Sequence, residues 1–171
     1  MTATMLYEHT ADNSARFILG TRGDNPLVCV GVNPSTATPE KLDRTVTRVK
    51  EYARRNHYDS WVMLNLYAQR STDPKLMHDV HLPELKAENE HHIAELVAGR
   101  RLTLLAAWGE PINMRPYLPE LLADIVTITD ASLCEWNSIG ELTKSKHPRH
   151  PSRGAYLPLQ SFDMNAYLRG L

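Results

Sequence analysis

The stretch Val30-Gly31-Val32-Asn33-Pro34-Ser35 decides the fold, because an apolar run stops abruptly at an asparagine. Val62-Met63-Leu64-Asn65 repeats this pattern, and His147-Pro148-Arg149-His150-Pro151-Ser152 adds a loop rich in histidine and proline. An apolar run of this kind predicts a buried strand, and the polar residue after it then lies at the carboxyl edge of the sheet. In open α/β sheets this edge binds ligands. We therefore expect both asparagines and the histidine-rich loop to surround one crevice.

Apolar runs between turn signals predict a mostly parallel central sheet of four strands. Strands that alternate with helices predict an α/β fold in which helices cover both faces of this sheet. The predicted architecture is a three-layer α/β/α sandwich in a single domain over residues 1–171. The four predicted parallel strands are Leu27–Val32, Trp61–Leu66, Leu102–Trp108 and Ile125–Ile128. We expect the first two of them to be neighbours near the middle of the sheet. A further run, Arg16–Leu19, is expected to form a hairpin with Leu27–Val32, because residues 21–26 carry a strong turn signal.

Helices are predicted where apolar residues recur at helical spacing. Pro39–Asn56 and Leu85–Val97 have this spacing, and Ile112–Leu122 is a helical stretch interrupted by proline. Phe162–Leu168 is expected to form a short closing helix. Residues 129–158 are expected to be irregular, which places the histidine-rich loop in a long connection.

Composition excludes several classes of protein. The chain of 171 residues has 42% hydrophobic and 23% charged residues, which is typical of a soluble globular protein. No apolar stretch approaches the roughly 20 residues of a membrane span, and the N-terminus lacks a signal sequence, so we expect a cytoplasmic protein. The two cysteines do not suggest a disulfide framework. A net charge of −1 argues against a strongly basic, non-specific DNA binder, but not against local basic patches.

Four blocks of sequence, in a fixed order, resemble the uracil-DNA glycosylase superfamily. The Val30–Ser35 stretch is similar to the Gly-Ile-Asn-Pro-Gly motif of its mismatch-specific branch. Val62–Asn65 resembles the strand whose final asparagine reads the base edge in classical members. Leu104–Gly109 is similar to an apolar strand ending in Trp-Gly, and His150-Pro151-Ser152 matches the start of the minor-groove loop. The resemblance covers roughly residues 28–158 and implies a uracil-DNA glycosylase-like fold.

A closer resemblance is to a bacterial and phage family of unknown function. Its motifs match Asn33-Pro34-Ser35-Thr36-Ala37, the run from Asn65 to Pro74, Ala107-Trp108-Gly109 and Pro148–Pro151. This family implies a fold but little about activity. Compared with the glycosylase superfamily, the chain lacks the acidic residue and the Tyr-His pair of the classical first motif. Arg153 and Gly154 replace a proline and a leucine of the loop, and the four cysteines of the iron–sulfur branches are absent.

The glycosylase resemblance implies chemical roles for residues at the crevice. Asn33 would orient a water molecule beneath the sugar, although an amide cannot remove its proton. Asn65 offers a donor and an acceptor, which suits the Watson–Crick edge of a pyrimidine. His147 or His150 would donate to the base oxygen as negative charge develops there. The alternative for Asn33 is an Asx-Pro turn, and the alternative for Asn65 is a structural cap on the strand end.

Further residues near these blocks are candidates for binding. Tyr67 and Ser35 are candidate base contacts, with half-buried packing as the alternative for the tyrosine. Asp43 is expected to pair with Arg48 on a helix rather than to act in catalysis. Trp108 is expected in the core, and flanking the pocket is the alternative. The candidate DNA contacts are Arg149, Arg153, Ser152 and Arg70, with solvated loop charge as the alternative for the first two.

Three classes of function follow from this pattern. The expected function is excision of a modified or deaminated pyrimidine base by hydrolysis of its N-glycosidic bond. The alternatives are a nucleobase- or nucleoside-modifying enzyme of phage DNA hypermodification, and a non-catalytic relative that binds nucleic acid or protein. The expected partner is DNA or another nucleobase-containing ligand, and no membrane. No metal or other cofactor is expected, because His91 and His92 point to different helix faces and no cluster has zinc spacing.

Overall fold

The computed structural model describes residues 2–171, in which seven strands alternate irregularly with four α-helices. Two short 3-10 helices, at Pro74–Leu76 and Glu110–Met114, precede the second and third α-helices. The strands are β1 (Met5–His9), β2 (Arg16–Thr21), β3 (Pro26–Gly31), β4 (Ser60–Asn65), β5 (Thr103–Ala106), β6 (Glu135–Ile139) and β7 (Leu159–Ser161). The helices are α1 (Arg44–Arg55), α2 (Pro83–Val97), α3 (Leu118–Asp130) and α4 (Met164–Arg169).

All seven strands form one mixed sheet in the order β1-β2-β4-β3-β5-β6-β7. The neighbours β4, β3, β5 and β6 run parallel, whereas β1, β2 and β7 add antiparallel edges. The α/β class agrees with the sequence prediction, but the predicted four-stranded sheet is wrong, because the described residues form a sheet of seven strands. The short outer strands β1 and β7 are mostly exposed, so they lack the apolar run on which that prediction relied.

The fourth predicted parallel strand, Ile125–Ile128, lies inside α3 instead. This helix buries Leu121, Leu122, Ile125, Val126 and Thr129, which is the spacing of one helix face. A run of four residues, three of them apolar, does not separate a strand from a helix segment. The fourth parallel strand is β6, in which Trp136, Ser138 and Ile139 are buried whereas Glu135 is exposed and Asn137 is half-buried.

The predicted hairpin between the second and third strands is also absent. Instead, β2 pairs antiparallel with β1 and with β4, where Gly20 lies opposite Val62. A side chain at Gly20 would meet the backbone of β4, because an ideal Cβ there would overlap the Trp61 carbonyl oxygen. This glycine therefore allows the chain to cross to the far side of β4 rather than to fold back on β3.

Strands β3 and β4 are neighbours near the middle of the sheet, in agreement with the prediction. Their parallel register runs from the Pro26–Ser60 pair to the Gly31–Asn65 pair. Both strands therefore end at the same edge, and Gly31 lies beside Asn65. This register places both polar ends of the sequence motifs together.

Helices cover both faces of the sheet. On one face α1 packs Val46, Val49 and Tyr52 against Cys29 and Met63 of the central strands. The other face is covered by buried residues of α2, α3 and α4. Within residues 2–171, α1 is thus the one α-helix on this face. At the carboxyl edge of the sheet, this face lies beside the loops that follow β3, β4 and β5. Within residues 2–171, no helix has the length and apolar character that a membrane crossing requires.

Candidate functional site

A cavity of about 260 Å³ opens at the carboxyl ends of β3 and β4, on the face covered by α1. The four sequence blocks that resemble the glycosylase superfamily meet at this cavity, because Asn33, Asn65, Trp108 and His150 all line it. Its volume lies near the lower limit of the roughly 300–1,000 Å³ that small-molecule sites occupy. A group the size of one aromatic ring system therefore suits it better than a whole nucleotide does.

Asn65 lines the cavity with a buried amide that has no partner. The residue is 2% exposed, and its Nδ2 is shielded from solvent without a hydrogen bond to any residue in the range 2–171. The strand end itself is capped by another asparagine, because Asn89 Nδ2 donates to the Asn65 carbonyl oxygen at 2.9 Å. The side chain that caps the strand end is therefore that of Asn89, and not that of Asn65. A buried donor without a partner costs free energy, which a ligand acceptor in the cavity would recover.

The position of the Asn65 amide depends on the glycine beside it. An ideal Cβ on Gly31 would lie 3.1 Å from Asn65 Oδ1, which is closer than side-chain atoms normally approach. Because β3 and β4 are paired at this point, the backbone cannot separate easily. Because glycine has no Cβ, position 31 leaves room for the Asn65 amide beside it.

We predict that Gly31→Ala weakens ligand binding more than it weakens the fold. The added methyl displaces the Asn65 amide, and we expect a loss of about tenfold in affinity, the size of one modest hydrogen bond. Calorimetric titration and thermal unfolding would measure the two effects. Gly170→Ala is the matched control, because its added Cβ meets only ordinary contacts at 3.7 Å and beyond. Equal affinity in wild type and Gly31→Ala would contradict this role of Gly31.

Asn33 holds two loops together through its amide nitrogen. Its Nδ2 donates to the carbonyl oxygens of Pro34, Gln69 and Ser71 at 3.0–3.3 Å. The reverse orientation would direct Oδ1 at three carbonyl oxygens, so chemistry fixes the amide as described. Its Oδ1 accepts no hydrogen bond from residues 2–171 and remains available as an acceptor beside the cavity. An Asx turn would need Oδ1 to accept a backbone N–H two residues further on, so the Asx-Pro turn alternative is not supported. The amide nitrogen holds the two loops, and water-holding by Oδ1 stays a prediction.

His150 stands at the mouth of the cavity. Its Nδ1 accepts from the Ser152 backbone N–H at 3.3 Å, which leaves the proton of the neutral ring on Nε2. Burial lowers the pKa of His150 below its ordinary value of 6.5, so the ring is neutral at neutral pH. The loop is fastened to α1, because Arg48 donates to the carbonyl oxygens of Pro151 and Gly154. The predicted Asp43–Arg48 pair is therefore wrong, since Arg48 is used in holding this loop.

His147, the other candidate histidine, lies outside the cavity. It is 7% exposed, with Nε2 accepting from Asn113 Nδ2 at 3.0 Å and Nδ1 at 2.8 Å from the Tyr167 hydroxyl. The Trp108 indole N–H donates to the same hydroxyl at 2.9 Å. His147 therefore belongs to a buried network that supports the back of the cavity. Its predicted catalytic role is not supported by this placement.

Asp43 is the acidic residue of the cavity wall. One carboxylate oxygen accepts from the Val46 N–H at 2.8 Å and caps α1, and the other accepts from the Ser35 hydroxyl at 2.9 Å. Ser35, a predicted base contact, therefore lies in the cavity and orients this carboxylate. The sequence analysis assigned Asp43 to a helix ion pair. Asp43 stands three residues before Val46, at the start of a predicted helix, and this spacing could have predicted that its carboxylate caps α1.

Arg16 is the second residue that sequence reasoning missed. It is 2% exposed, lines the cavity, and donates through Nη1 to the Ala37 carbonyl oxygen at 3.1 Å. Burial, followed by the nearby charge of Arg70, lowers the pKa of Arg16 to about 10. It remains charged at neutral pH. An arginine at the start of an apolar strand gives no local signal that its head group reaches a cavity.

The remaining predicted contacts are placed outside the cavity or at its edge. Tyr67 is fully buried, bonds through its hydroxyl to His78 Nδ1 at 2.6 Å and does not line the cavity, so the predicted base stacking is not supported. Arg70 donates to the Ser35 carbonyl oxygen and the Tyr7 hydroxyl, and so supports the cavity wall; its DNA contact stays a prediction. Ser152 bonds to His150, whereas Arg149 and Arg153 are exposed on the loop, where phosphate can reach them.

Comparison with known proteins adds a family but no activity. No curated protein and no solved structure matches the chain. A family model described as "Protein of unknown function (DUF1643)" matches residues 16–152. The matched range begins at Arg16 and ends at Ser152, so it contains every cavity residue described above. Since the match spans well over half of the chain, the protein belongs to this family of unknown function.

Proposed function

We propose that the cavity binds a pyrimidine base of a nucleic acid and that the protein hydrolyses the N-glycosidic bond of that nucleotide. The observation that carries the proposal is the buried Asn65 amide without a partner in a cavity of base-like size. A side-chain amide presents one donor and one acceptor, and the Watson–Crick edge of a pyrimidine presents the complementary pair. A base in a duplex reaches such a cavity only after it is flipped out of the stack.

The hydrolysis itself needs a positioned water and stabilisation of the leaving base. The water oxygen bonds to the anomeric carbon of the sugar, and the bond to the base nitrogen breaks with its electron pair on the base. Asn33 Oδ1 holds the water, and the Asp43 carboxylate accepts its proton. The His150 Nε2–H donates to a base oxygen as negative charge develops there. The neutral ring of His150 suits this role, because its proton is on the nitrogen that lacks another partner.

Kinship with the uracil-DNA glycosylase superfamily is part of the proposal. It is supported by the convergence of the four sequence blocks, in the order that the superfamily has them, on one cavity. A nucleic acid partner is supported by residues 143–154, which contain Lys144, Lys146, Arg149 and Arg153 and no acidic residue. This basic loop borders the mouth through His150. It provides the electrostatic attraction that phosphate backbones require.

Base release is the direct test. Single-stranded and duplex oligonucleotides, each with one uracil, 5-hydroxymethyluracil or phage-type hypermodified pyrimidine, are incubated with the protein. Abasic sites are measured by alkaline cleavage, and released bases are identified by mass spectrometry. We expect release from at least one substrate. Absence of release from every substrate in both strand forms would contradict hydrolysis, and a chemically altered base that stays attached would favour base modification.

We predict that Arg149→Ala and Arg153→Ala weaken DNA binding for all sequences alike. A lost phosphate contact removes affinity without removing discrimination, and each variant should lower the slope of log K against log salt by about one. Fluorescence anisotropy at several salt concentrations measures this slope. Arg101→Ala is the control, since Arg101 precedes β5 and therefore lies at the opposite, amino edge of the sheet. An unchanged slope in both loop variants would exclude these arginines as phosphate contacts.

A further inference from the structure

Arg16 carries a buried positive charge for which the protein provides no anionic partner. Within residues 2–171 its guanidinium forms no ion pair with an acidic side chain. Of its nitrogens, Nη1 donates to the Ala37 carbonyl, whereas Nε is shielded from solvent and has no partner. Buried charges in proteins are normally paired, because their desolvation is costly. The unpaired charge at a cavity wall therefore needs an explanation.

The arrangement around Arg16 leaves one edge of its guanidinium free. Nε and Nη2 lie on the same side of the group and form the fork that binds carboxylate and phosphate oxygens in parallel. Neither of these nitrogens has a hydrogen bond to the described part of the chain. The engaged nitrogen, Nη1, is the one outside this fork. The protein thus anchors Arg16 and leaves its bidentate edge without a partner.

The neighbouring charges do not cancel that of Arg16. Arg70 lies close enough to lower its pKa, and Asp43 and Tyr7 act in the opposite direction. Asp43 accepts hydrogen bonds from the Ser35 hydroxyl and from the first turn of α1, and it forms no ion pair with Arg16 in the described part of the chain. His150 is neutral at neutral pH. Two arginines against one carboxylate leave a net positive charge around the Arg16 side chain.

A purely structural role for Arg16 explains less of this geometry. Such a role would be to hold the Ala37 carbonyl, but Arg70 Nη1 also approaches that oxygen at 3.4 Å. A single hydrogen bond to a shared carbonyl is a small return for burying a charge. The position of Arg16 in the same cavity as the unpartnered Asn65 amide indicates that both groups await one ligand.

We propose that Arg16 binds an anionic group of the ligand that occupies the cavity. This inference deepens the proposed function and rests on it in one respect, the presence of a base beside Asn65. The anion has two possible sources of the same chemistry. It is either the departing base, which leaves with the electron pair of the broken bond, or an acidic substituent on the base or sugar, a carboxylate or a phosphate. In both cases Nε and Nη2 of Arg16 donate two parallel hydrogen bonds to oxygen or nitrogen acceptors of the anion.

Binding of matched neutral and anionic probes tests the proposal and separates the two sources. Calorimetry compares uracil with 5-fluorouracil at pH 7 and 9, because the ring N–H of 5-fluorouracil is the more acidic. It also compares uracil with orotate, and uridine with uridine 5′-monophosphate. The proteins are wild type, Arg16→Met, Arg16→Lys and the control Arg22→Gln, an exposed arginine outside the cavity.

We expect wild type and Arg22→Gln to prefer the anionic member of at least one pair by roughly tenfold to a hundredfold, as for a hydrogen bond to a charged group. Arg16→Met should abolish this preference. Arg16→Lys, which keeps the charge but not the fork, should reduce it severalfold and serves if Arg16→Met does not fold. Preference in the 5-fluorouracil pair identifies the base anion, and preference in the other pairs identifies a substituent.

Two results would overturn the inference. One is equal binding of anionic and neutral probes by wild type in every pair. The other is an undiminished preference for the anion in Arg16→Met and Arg16→Lys. These measurements involve no bond cleavage, so they are independent of the base-release assay. A protein that releases bases without anion preference would disprove the role of Arg16 alone, and one that binds anions without release would disprove hydrolysis alone.

Discussion

Asn33→Ala is expected to lower base release by a factor on the order of 10²–10⁴ while DNA binding stays within about twofold of wild type. The substitution removes Oδ1, the acceptor that holds the water. DNA binding is retained because Asn33 itself contributes no phosphate contact. It also removes the donor to the carbonyl oxygens of Pro34, Gln69 and Ser71. We therefore expect a loss of about 1–3 kcal/mol in the free energy of unfolding as well. Single-turnover release, anisotropy and urea unfolding measure the three quantities.

A matched variant separates the loss of the water from loosening of the loop. Asp73→Ala removes the carboxylate that accepts from the Lys75 N–H and so loosens the same segment after β4 without touching the cavity. We expect it to retain most of the release activity. Asn33→Asp should not rescue Asn33→Ala, because an ionised carboxylate would face three carbonyl oxygens. Release at the wild-type rate by Asn33→Ala would refute the proposed mechanism.

The sequence predicted the location of the site better than its chemistry. Parallel strands must end at the same edge, so Asn33 and Asn65 were expected together from their positions after apolar runs. The structure places both in one cavity with His150. Which histidine faces the cavity could not be predicted, because His147 and His150 differ only in how the loop packs. Arg16 and Asp43 were missed because their roles arise from contacts across 21 and 8 residues of sequence.

The fold was predictable where burial was complete and not where it was partial. Strands β3 and β4 are buried along their full length, and their pairing follows from that pattern. The strands β1 and β7 are mostly exposed, and their pairing is set by neighbours rather than by their own composition. Ile125–Ile128 was assigned to a strand because a window of four residues contains only one helical turn. The full face of α3 becomes visible only over the 13 residues of the helix.

Asn65→Leu is expected to change binding and stability in opposite directions. Leucine has nearly the shape of asparagine, and it removes a buried donor that has no partner within residues 2–171. The free energy of unfolding should therefore stay equal or rise, by up to about 1–3 kcal/mol, the cost of an unsatisfied buried group. Affinity for the base should fall by a similar amount, since a well-placed pair of hydrogen bonds discriminates by roughly 1–3 kcal/mol.

Asn89→Leu is the matched control for this prediction. Asn89 is also 2% exposed, but its Nδ2 donates to the carbonyl oxygens of Asn65 and Leu66. Its replacement should lower the free energy of unfolding, because two strand-end acceptors lose their donor. Urea unfolding and calorimetric titration of the two variants therefore distinguish a structural asparagine from one reserved for a ligand. If Asn65→Leu destabilised the fold as much as Asn89→Leu does, the amide would serve the protein itself, and the assignment of the cavity to a base would fail with it.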